Sequence, residues 1–289
     1  MTKIYVITGP TGVGKTKLSL MLAKELNAEI INADSMQIYK EMNIGTAKKT
    51  KKEMSKIPHH LFSIKSVKDN YSVYQYQKDC RQEMEKIAKK KKNIIIVGGT
   101  GLYIKAALYN YEFYDEVKKN YDDLTDKEIV NLIKKYGELP NIDLNNRRRL
   151  TRYLEKLEND TIGSSKKNEK LYDFKMIVLS ASRDDLYKII DTRVDRMISD
   201  GLLEEVEQLY NKNINTIPLN TAIGYKELYK YFNKEISLED AIDLIKRNSR
   251  RYAKRQYTFF KHQFEDIKWV DVNFYNFNDT YLEALEYFK

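Results

Sequence analysis

The amino-acid sequence predicts an α/β fold in which helices flank a parallel sheet, with a small helical insertion and a helical C-terminal region. Two observations carry this prediction. Short, continuously apolar runs recur along the 289 residues, and such runs are typical of parallel strands that are buried on both faces. The first run leads into a glycine-rich loop and then a segment with helical spacing, which is the order of a strand–loop–helix unit.

The first predicted strand, residues 3–7, is followed by a loop that fits the phosphate-binding pattern G-x-x-x-x-G-K-[ST] at every fixed position. Glycines permit a tight turn that aims backbone N–H groups at an anion, and the helix N-terminus adds partial positive charge. An ordinary tight turn is the alternative, which the agreement of pattern and context disfavours. We therefore predict a P-loop NTPase-like core that binds a phosphate or diphosphate through Gly9, Pro10, Thr11, Gly12, Val13, Gly14, Lys15 and Thr16.

Composition excludes several kinds of protein. Cys80 is the single cysteine, which rules out an internal disulfide and a cysteine zinc site, and the three histidines are too scattered for a convincing metal site. No apolar run approaches the roughly 20 residues of a membrane-spanning helix, and the chain enters its first strand directly, so we expect a soluble cytoplasmic protein. We also expect it to act as a monomer. The formal charge of +9 favours a polyanionic partner, although a lysine-rich surface also serves solubility alone.

Polar residues follow the other predicted strands at the edge where ligands bind in open α/β sheets. Asp34 follows strand 29–33, where capping of a helix is its alternative role. Strand 93–97 ends in glycines rather than in the Mg²⁺-binding acid of many P-loop enzymes, which weakens the case for ATP hydrolysis. The candidates at these strand ends are Asp34, Ser35, Met36, Gln37, Thr100 and Arg183.

The segment 110–144 differs in texture from its surroundings. It is charged and tyrosine-rich and contains one clear helix, 126–136, so we predict a small helical insertion. The first part of the P-loop core then spans 1–109. Residues 145–289 hold the continuation of the core and the helical, basic C-terminal region.

Two basic segments predict helices that contact a polyanion. Four arginines lie within residues 147–152, for which a solvated face is the alternative. Between 246 and 261, seven cations interleave with aromatic residues without an acid, which is typical of nucleic-acid binding. The cations would contact phosphates and the rings would stack on unpaired bases. A calmodulin-like or anionic-lipid interaction is the competing hypothesis for the second segment.

The ordered motifs of the chain resemble those of the tRNA dimethylallyltransferases, also called tRNA isopentenyltransferases. The resemblance covers nearly the whole sequence. Its motifs are GPTGVGKT at 9–16, DSMQIY at 34–39, GGTGLY at 98–103, RRLTR at 148–152, IGYKEL at 223–228 and YAKRQ at 252–256.

This resemblance implies transfer of a dimethylallyl group from its diphosphate to N6 of adenine-37 in tRNA, with Mg²⁺ as cofactor. It implies that the P-loop holds the prenyl diphosphate, that Thr16 binds Mg²⁺ and that Arg183 assists. It further implies that Asp34 is the general base and Thr100 a second active-site contact. The residues that it assigns to tRNA are Asp34, Ser35, Met36, Gln37, Arg148, Arg149, Arg152, Thr221, Gly224, Tyr225, Lys226, Lys254, Arg255, Gln256 and Lys261.

Three alternative functions stay open at this stage. Free adenine nucleotides could be the prenyl acceptor, although neither the insertion nor the basic C-terminal region would then be needed. The phosphate-loop pattern is shared with ATP-binding proteins, so a kinase or ATP-driven enzyme is a second alternative. A nucleic-acid-binding protein whose phosphate site has lost its chemistry is the third.

Overall fold

The computed structural model describes residues 1–54, 56–113, 117, 119–140, 142–161 and 168–289, so most of the polar loop predicted at 161–170 lies outside the described residues. Within these residues one six-stranded sheet forms, with every strand pair parallel and the order β3-β2-β4-β1-β5-β6. The predicted α/β class with a parallel sheet is confirmed. The strands are β1 Ile4–Thr8, β2 Ala28–Asn32, β3 His59–His60, β4 Asn93–Val97, β5 Phe174–Ser180 and β6 Lys268–Asp271.

Helices connect the strands and cover the sheet. They are α1 Lys15–Glu25, α2 Lys51–Met54, α3 Val73–Lys89, α4 Gly101–Leu108, α5 Asp126–Lys134, α6 Arg147–Glu158, α7 Arg183–Ser199, α8 Leu202–Asn211, α9 Ile217–Thr221, α10 Tyr225–Phe232, α11 Leu238–Gln263 and α12 Phe277–Phe288. No helix among the described residues is long and apolar enough to cross a membrane.

The strand order explains where a ligand can bind. β1 is buried at all five positions and β4 at four of five, because helices cover both faces of a parallel sheet. β4 lies between β1 and β2, so the loops that follow these three strands meet at one edge. Those loops begin at Gly9, Ala33 and Gly98, and this edge is where open α/β sheets bind ligands.

The chain divides into two compact units. One contains Met1–Leu108 together with Tyr172–Lys289, and the other is Tyr109–Leu171. The predicted insertion ended at residue 144, whereas the second unit continues to Leu171 because α6 packs on α5. The buried residues of this small core come from both helices and one preceding tyrosine: Tyr121, Ile129, Ile133, Leu150 and Leu154. The arginine-rich helix α6 therefore belongs to the inserted unit and not to the continuation of the core.

Candidate active site

The phosphate loop is held in a backbone conformation that requires glycine. Gly9, Gly12 and Gly14 have φ angles of 138°, 92° and 88°, in the region that side chains with a Cβ rarely adopt. A Cβ at Gly9 would lie 2.4 Å from the Leu179 carbonyl oxygen on β5. The loop can therefore pass close to the neighbouring strand before α1 begins, as the sequence pattern predicted.

The side chain of Lys15 hydrogen-bonds to the backbone of the phosphate loop. Its Nζ donates to the carbonyl oxygens of Gly9 and Pro10, at 3.0 and 2.6 Å. Burial and, to a smaller extent, the nearby Arg193 guanidinium lower the pKa of Lys15 to about 7, against an opposing effect of Asp34. Two cationic side chains therefore lie close together with little solvent around them. A bound anion of high charge would stabilise their charged forms.

Arg193 is a candidate site residue that the sequence reasoning missed. It extends from α7, where its Nη2 lies 3.4 Å from the Thr46 carbonyl oxygen, and burial lowers its pKa while Asp34 raises it. Arg183, the predicted cation, is exposed at the start of α7 with its guanidinium 5.2 Å from the Tyr187 ring centroid. The signal for Arg193 was its helical spacing, three residues after the buried Ile190 and seven after the buried Leu186 of α7.

Asp34 is held by hydrogen bonds to residues that are close to it in the chain. Its backbone N–H donates to Asn32 Oδ1 at 2.9 Å, and Asn32 Nδ2 donates to the carbonyl oxygens of Asp34 and Leu61, each at 3.0 Å. Asp34 Oδ1 accepts from the Met36 N–H at 3.0 Å, which closes a turn of the Asx type rather than capping a helix. Asn32 is almost fully buried and was absent from the predicted site.

The predicted partners of Asp34 meet at the same sheet edge. Thr100 Oγ1 accepts from the Ser35 N–H at 3.0 Å and lies 3.2 Å from Ser35 Oγ. Tyr252 of α11 hydrogen-bonds to Thr100, and burial together with the nearby Asp34 carboxylate raises the pKa of Tyr252 to about 12. The sequence analysis did not single out Tyr252, which the structure places close to Thr100 and Asp34.

The cleft at this edge joins the phosphate loop to Asp34. A hydroxyl of Thr16 and a carboxylate of Asp34 are hard oxygen donors of the kind that Mg²⁺ prefers, and Mg²⁺ bound with a diphosphate needs few protein ligands. The described residues hold no group of three His, Cys, Asp or Glu side chains that could bind a metal ion by themselves. The lining residues are Lys15, Thr16, Ser19, Asn32, Asp34, Gln37, His59, Phe62, Val97 and Gly98.

A loop after Met42 is linked to this site through Gln37. The Nε2 of Gln37 donates to the Thr46 carbonyl oxygen of the loop at 3.0 Å. Glu205 of α8 holds the loop by accepting from the N–H groups of Ile44 and Gly45, at 2.9 and 3.2 Å. Tyr225, which was predicted to contact tRNA, is instead buried behind the loop and donates to Glu205 at 2.5 Å. The side chain at position 225 is therefore structural.

The predicted tRNA contacts on α11 separate into two faces. Lys254, Arg255 and Lys261 are exposed, as a phosphate-binding surface requires, whereas Gln256 is buried. The aromatic rings also turn inward: Phe260 is fully buried, and Tyr257 stacks on Trp269 with ring centroids 5.8 Å apart. The expectation that these rings stack on unpaired bases does not hold for Phe260, because its position on the helix faces the protein interior.

The remaining tRNA candidates differ in exposure. On α6, Arg148 and Arg149 are exposed, and Arg152 is exposed while paired with Glu155 at 3.1 Å. Arg147 of the same helix is structural, since it binds Asp126 at 2.7 Å together with backbone carbonyls. Of the residues around α10, Thr221 is exposed, Lys226 is half-buried and Gly224 is buried.

Comparisons with known proteins agree on one family. The family model of the IPP transferases matches residues 37–263. A tRNA dimethylallyltransferase of Bacillus cereus (strain B4264) is 47% identical, with coverage of 93% of this chain and 90% of that protein. One of Bacillus anthracis is 46% identical, with coverage of 93% and 91%.

Solved structures give the same result. The full-length tRNA isopentenylpyrophosphate transferase of Bacillus halodurans superposes with a TM-score of 0.78 at 37% identity, over 99% of this chain and 95% of that one. A eukaryotic dimethylallyltransferase acting on tRNA superposes with a TM-score of 0.76 at 30% identity, over 94% and 74%. The resemblance inferred from the motifs is confirmed, and the chain belongs to the IPP transferase family.

Proposed function

We propose that this protein transfers a dimethylallyl group from dimethylallyl diphosphate to N6 of adenine-37, beside the anticodon of tRNA, and releases diphosphate. The observation that carries the proposal is one cleft lined by the phosphate-loop residues Lys15 and Thr16 and by Asp34. Such a cleft can hold a diphosphate at the loop and an amine at the carboxylate.

The loop side of the cleft serves the leaving group. The carbon–oxygen bond of the allylic diphosphate breaks as the bond from N6 to that carbon forms, so negative charge builds up on the diphosphate. Lys15, Arg193 and the N–H groups of the loop would stabilise this charge, and Lys15 is already held at the loop by its bond to the Gly9 carbonyl oxygen. Thr16 would hold Mg²⁺, which neutralises part of the diphosphate charge when bound.

The other side of the cleft serves the acceptor. The exocyclic amine of adenine is a poor nucleophile because its lone pair is delocalised into the ring. Asp34 would orient the amine and accept its proton as the new bond forms, and the hydrogen bond from the Met36 N–H holds the carboxylate for that task. Ser35 and Thr100, which hydrogen-bond to each other, and Gln37, which lines the cleft with Asp34, would contact the base.

The acceptor must enter as an unstacked base, which an anticodon loop supplies more easily than a duplex. Exposed cations on α11, and separately those on α6, would contact tRNA phosphates. Phosphate contacts of this kind position the RNA, while the cleft selects the base.

We propose that a single copy of the chain acts on tRNA in the cytoplasm.

The test is single-turnover transfer from radiolabelled dimethylallyl diphosphate to unmodified tRNA in the presence of Mg²⁺, with AMP as acceptor in a parallel reaction. Label on the adenine beside the anticodon is the expected result. Label on AMP alone would keep the donor site and reject tRNA as acceptor. If neither acceptor is labelled while γ-labelled ATP transfers its phosphate, the prenyl transfer itself is rejected.

A further inference from the structure

Gln256 makes two hydrogen bonds that join separate parts of the active-site edge. Only 5% of this side chain is exposed, on the inner face of α11. Its Oε1 accepts from the Thr11 N–H at 3.2 Å, and its Nε2 donates to the Gly99 carbonyl oxygen at 2.9 Å. One amide therefore ties the phosphate loop after β1 to the loop after β4.

Two glycines make room for this arrangement. A Cβ at Gly99 would lie 2.2 Å from Gln256 Nε2, and one at Gly101 would lie 2.3 Å from the Phe259 ring. Neither glycine has a positive φ angle, so a special turn does not explain them. Their absent side chains instead allow α11 to approach the sheet edge closely.

The bond to Thr11 acts on the segment that must bind the anion. A loop that contains Gly9, Gly12 and Gly14 has many conformations to lose when it is ordered. Gln256 fixes the peptide N–H of Thr11 inside that loop before any ligand arrives, because both of its own polar atoms are already engaged with backbone groups. Preorganisation of this kind lowers the cost of binding.

We propose that Gln256 is a positioning residue that holds the phosphate loop in its diphosphate-binding conformation. The identity of the ligand rests on the proposed function, whereas the role of Gln256 rests on its two hydrogen bonds and on the space that Gly99 leaves for it. Gln256 contacts neither the tRNA nor the reacting atoms in this proposal. It acts through Thr11, from a helix whose opposite face carries Lys254 and Arg255.

The test is the affinity for inorganic pyrophosphate with Mg²⁺, measured by calorimetry on the full chain. Gln256→Met keeps the length of the side chain and removes both hydrogen bonds. We expect it to weaken pyrophosphate binding about tenfold, since each lost bond weakens binding by a factor of a few. The KM for dimethylallyl diphosphate should rise by the same factor while the KM for tRNA changes less than twofold.

Two further variants separate this role from general damage to the fold. Thr258→Ala, on the exposed face of the same helix, should bind pyrophosphate as the wild type does. Gly99→Ala should displace the Gln256 amide and weaken binding to a similar extent, and the double variant should lose little more than either single variant. The Gly99→Ala variant also carries the test if Gln256→Met fails to fold.

The outcomes distinguish this inference from the proposed function. Pyrophosphate affinity of Gln256→Met or Gly99→Ala within twofold of the wild type would overturn the positioning role and leave the prenyl transfer standing. An equal loss of tRNA and pyrophosphate affinity would also overturn it, because the residue would then be merely structural. A wild-type chain that binds no pyrophosphate would overturn both proposals.

Discussion

Single residues of this site owe their chemistry to their neighbours. Lys15 and Arg193 share one partly desolvated place, and in both the pKa is lowered by burial and raised by Asp34. Such perturbed groups concentrate where an enzyme binds or transforms a charged ligand. The two cations at the phosphate loop are thus suited to an anionic ligand that binds from solution.

Asp34→Ala tests the proposed base. We expect turnover in a single-turnover assay to fall by about 10²-fold or more, because the N6 proton then has no positioned acceptor. The tRNA affinity should stay within twofold, since one carboxylate contributes little to a surface dominated by phosphate contacts. Asp34→Asn is the matched variant that keeps the shape and the bond from Met36. Nearly unchanged turnover in both variants would show that Asp34 is not the base.

Arg193→Gln tests the cation that the sequence reasoning overlooked. Loss of charge-assisted contacts to a diphosphate should raise the KM for dimethylallyl diphosphate by about 10- to 100-fold, because such bonds contribute roughly 1.5–3 kcal/mol each. Arg183→Gln on the same helix is the control and should change that KM less than twofold, since Arg183 is exposed. If Arg183→Gln raised this KM more than Arg193→Gln did, Arg183 and not Arg193 would be the residue that binds the diphosphate.

At the scale of the secondary-structure element, α11 has two faces of different chemistry. Its 26 residues bury Ala253, Gln256 and Phe260 while they expose Arg251, Lys254 and Arg255. Ser237 caps its N-terminus by accepting from the Asp240 N–H at 3.1 Å. The helix can therefore present cations to RNA and support the active-site loops at once.

Removal of exposed charge from α11 should weaken tRNA binding in a salt-dependent way. For Arg251→Gln with Lys254→Gln we expect the slope of log K against log salt to flatten by about 1.4, at roughly 0.7 for each lost phosphate contact to a single strand. Filter binding at several salt concentrations measures it.

Arg250→Gln is the comparison for that experiment. Arg250 is partly buried and already paired with Asp191 at 2.5 Å, so its replacement should change the slope less than either exposed cation does. An unchanged slope in the Arg251/Lys254 variant would remove this face of α11 from the tRNA interface.

At the scale of the whole molecule, the order of the strands decides which loops can cooperate. The neighbours of β1 are β4 and β5, while β2 lies beyond β4, so α1 must cross over β4 to reach it. That crossover leaves the phosphate loop, the Asp34 turn and the Gly98–Gly101 loop side by side at one sheet edge. Helices α7 and α11 then complete the site with Arg193 and Tyr252.

Ligand binding at this edge should stabilise the fold of the whole chain. Pyrophosphate and Mg²⁺ at about 100 times the dissociation constant would add about 2.7 kcal/mol to the free energy of unfolding. A thermal melt should therefore shift upward by several degrees, and a chelator should remove most of the shift. Lys15→Met is the control and should show little shift. An equal shift in that variant would place the ligand elsewhere.

The sequence predicted well wherever the signal is local. The phosphate loop, the acid after β2 and the continuous apolar run of β4 each depend on residues that are adjacent in the chain, and the structure has these elements where they were expected. The boundary of the insertion differed because it depends on which helices pack together. Leu150 and Leu154 of α6 pack against the apolar face of α5. The amphipathic pattern of either helix alone does not show which helix it packs against.

By itself the sequence determined the family, the parallel α/β class and the phosphate loop, since these follow from short patterns of residue types. Only the tertiary structure decided that Arg193 and not Arg183 stands beside Lys15, and that Tyr225 and Gln256 are buried. The physical reason is that a side chain on an amphipathic helix acquires its role from the element that its face meets. That element is distant in the chain, so its identity is set by packing and not by local pattern.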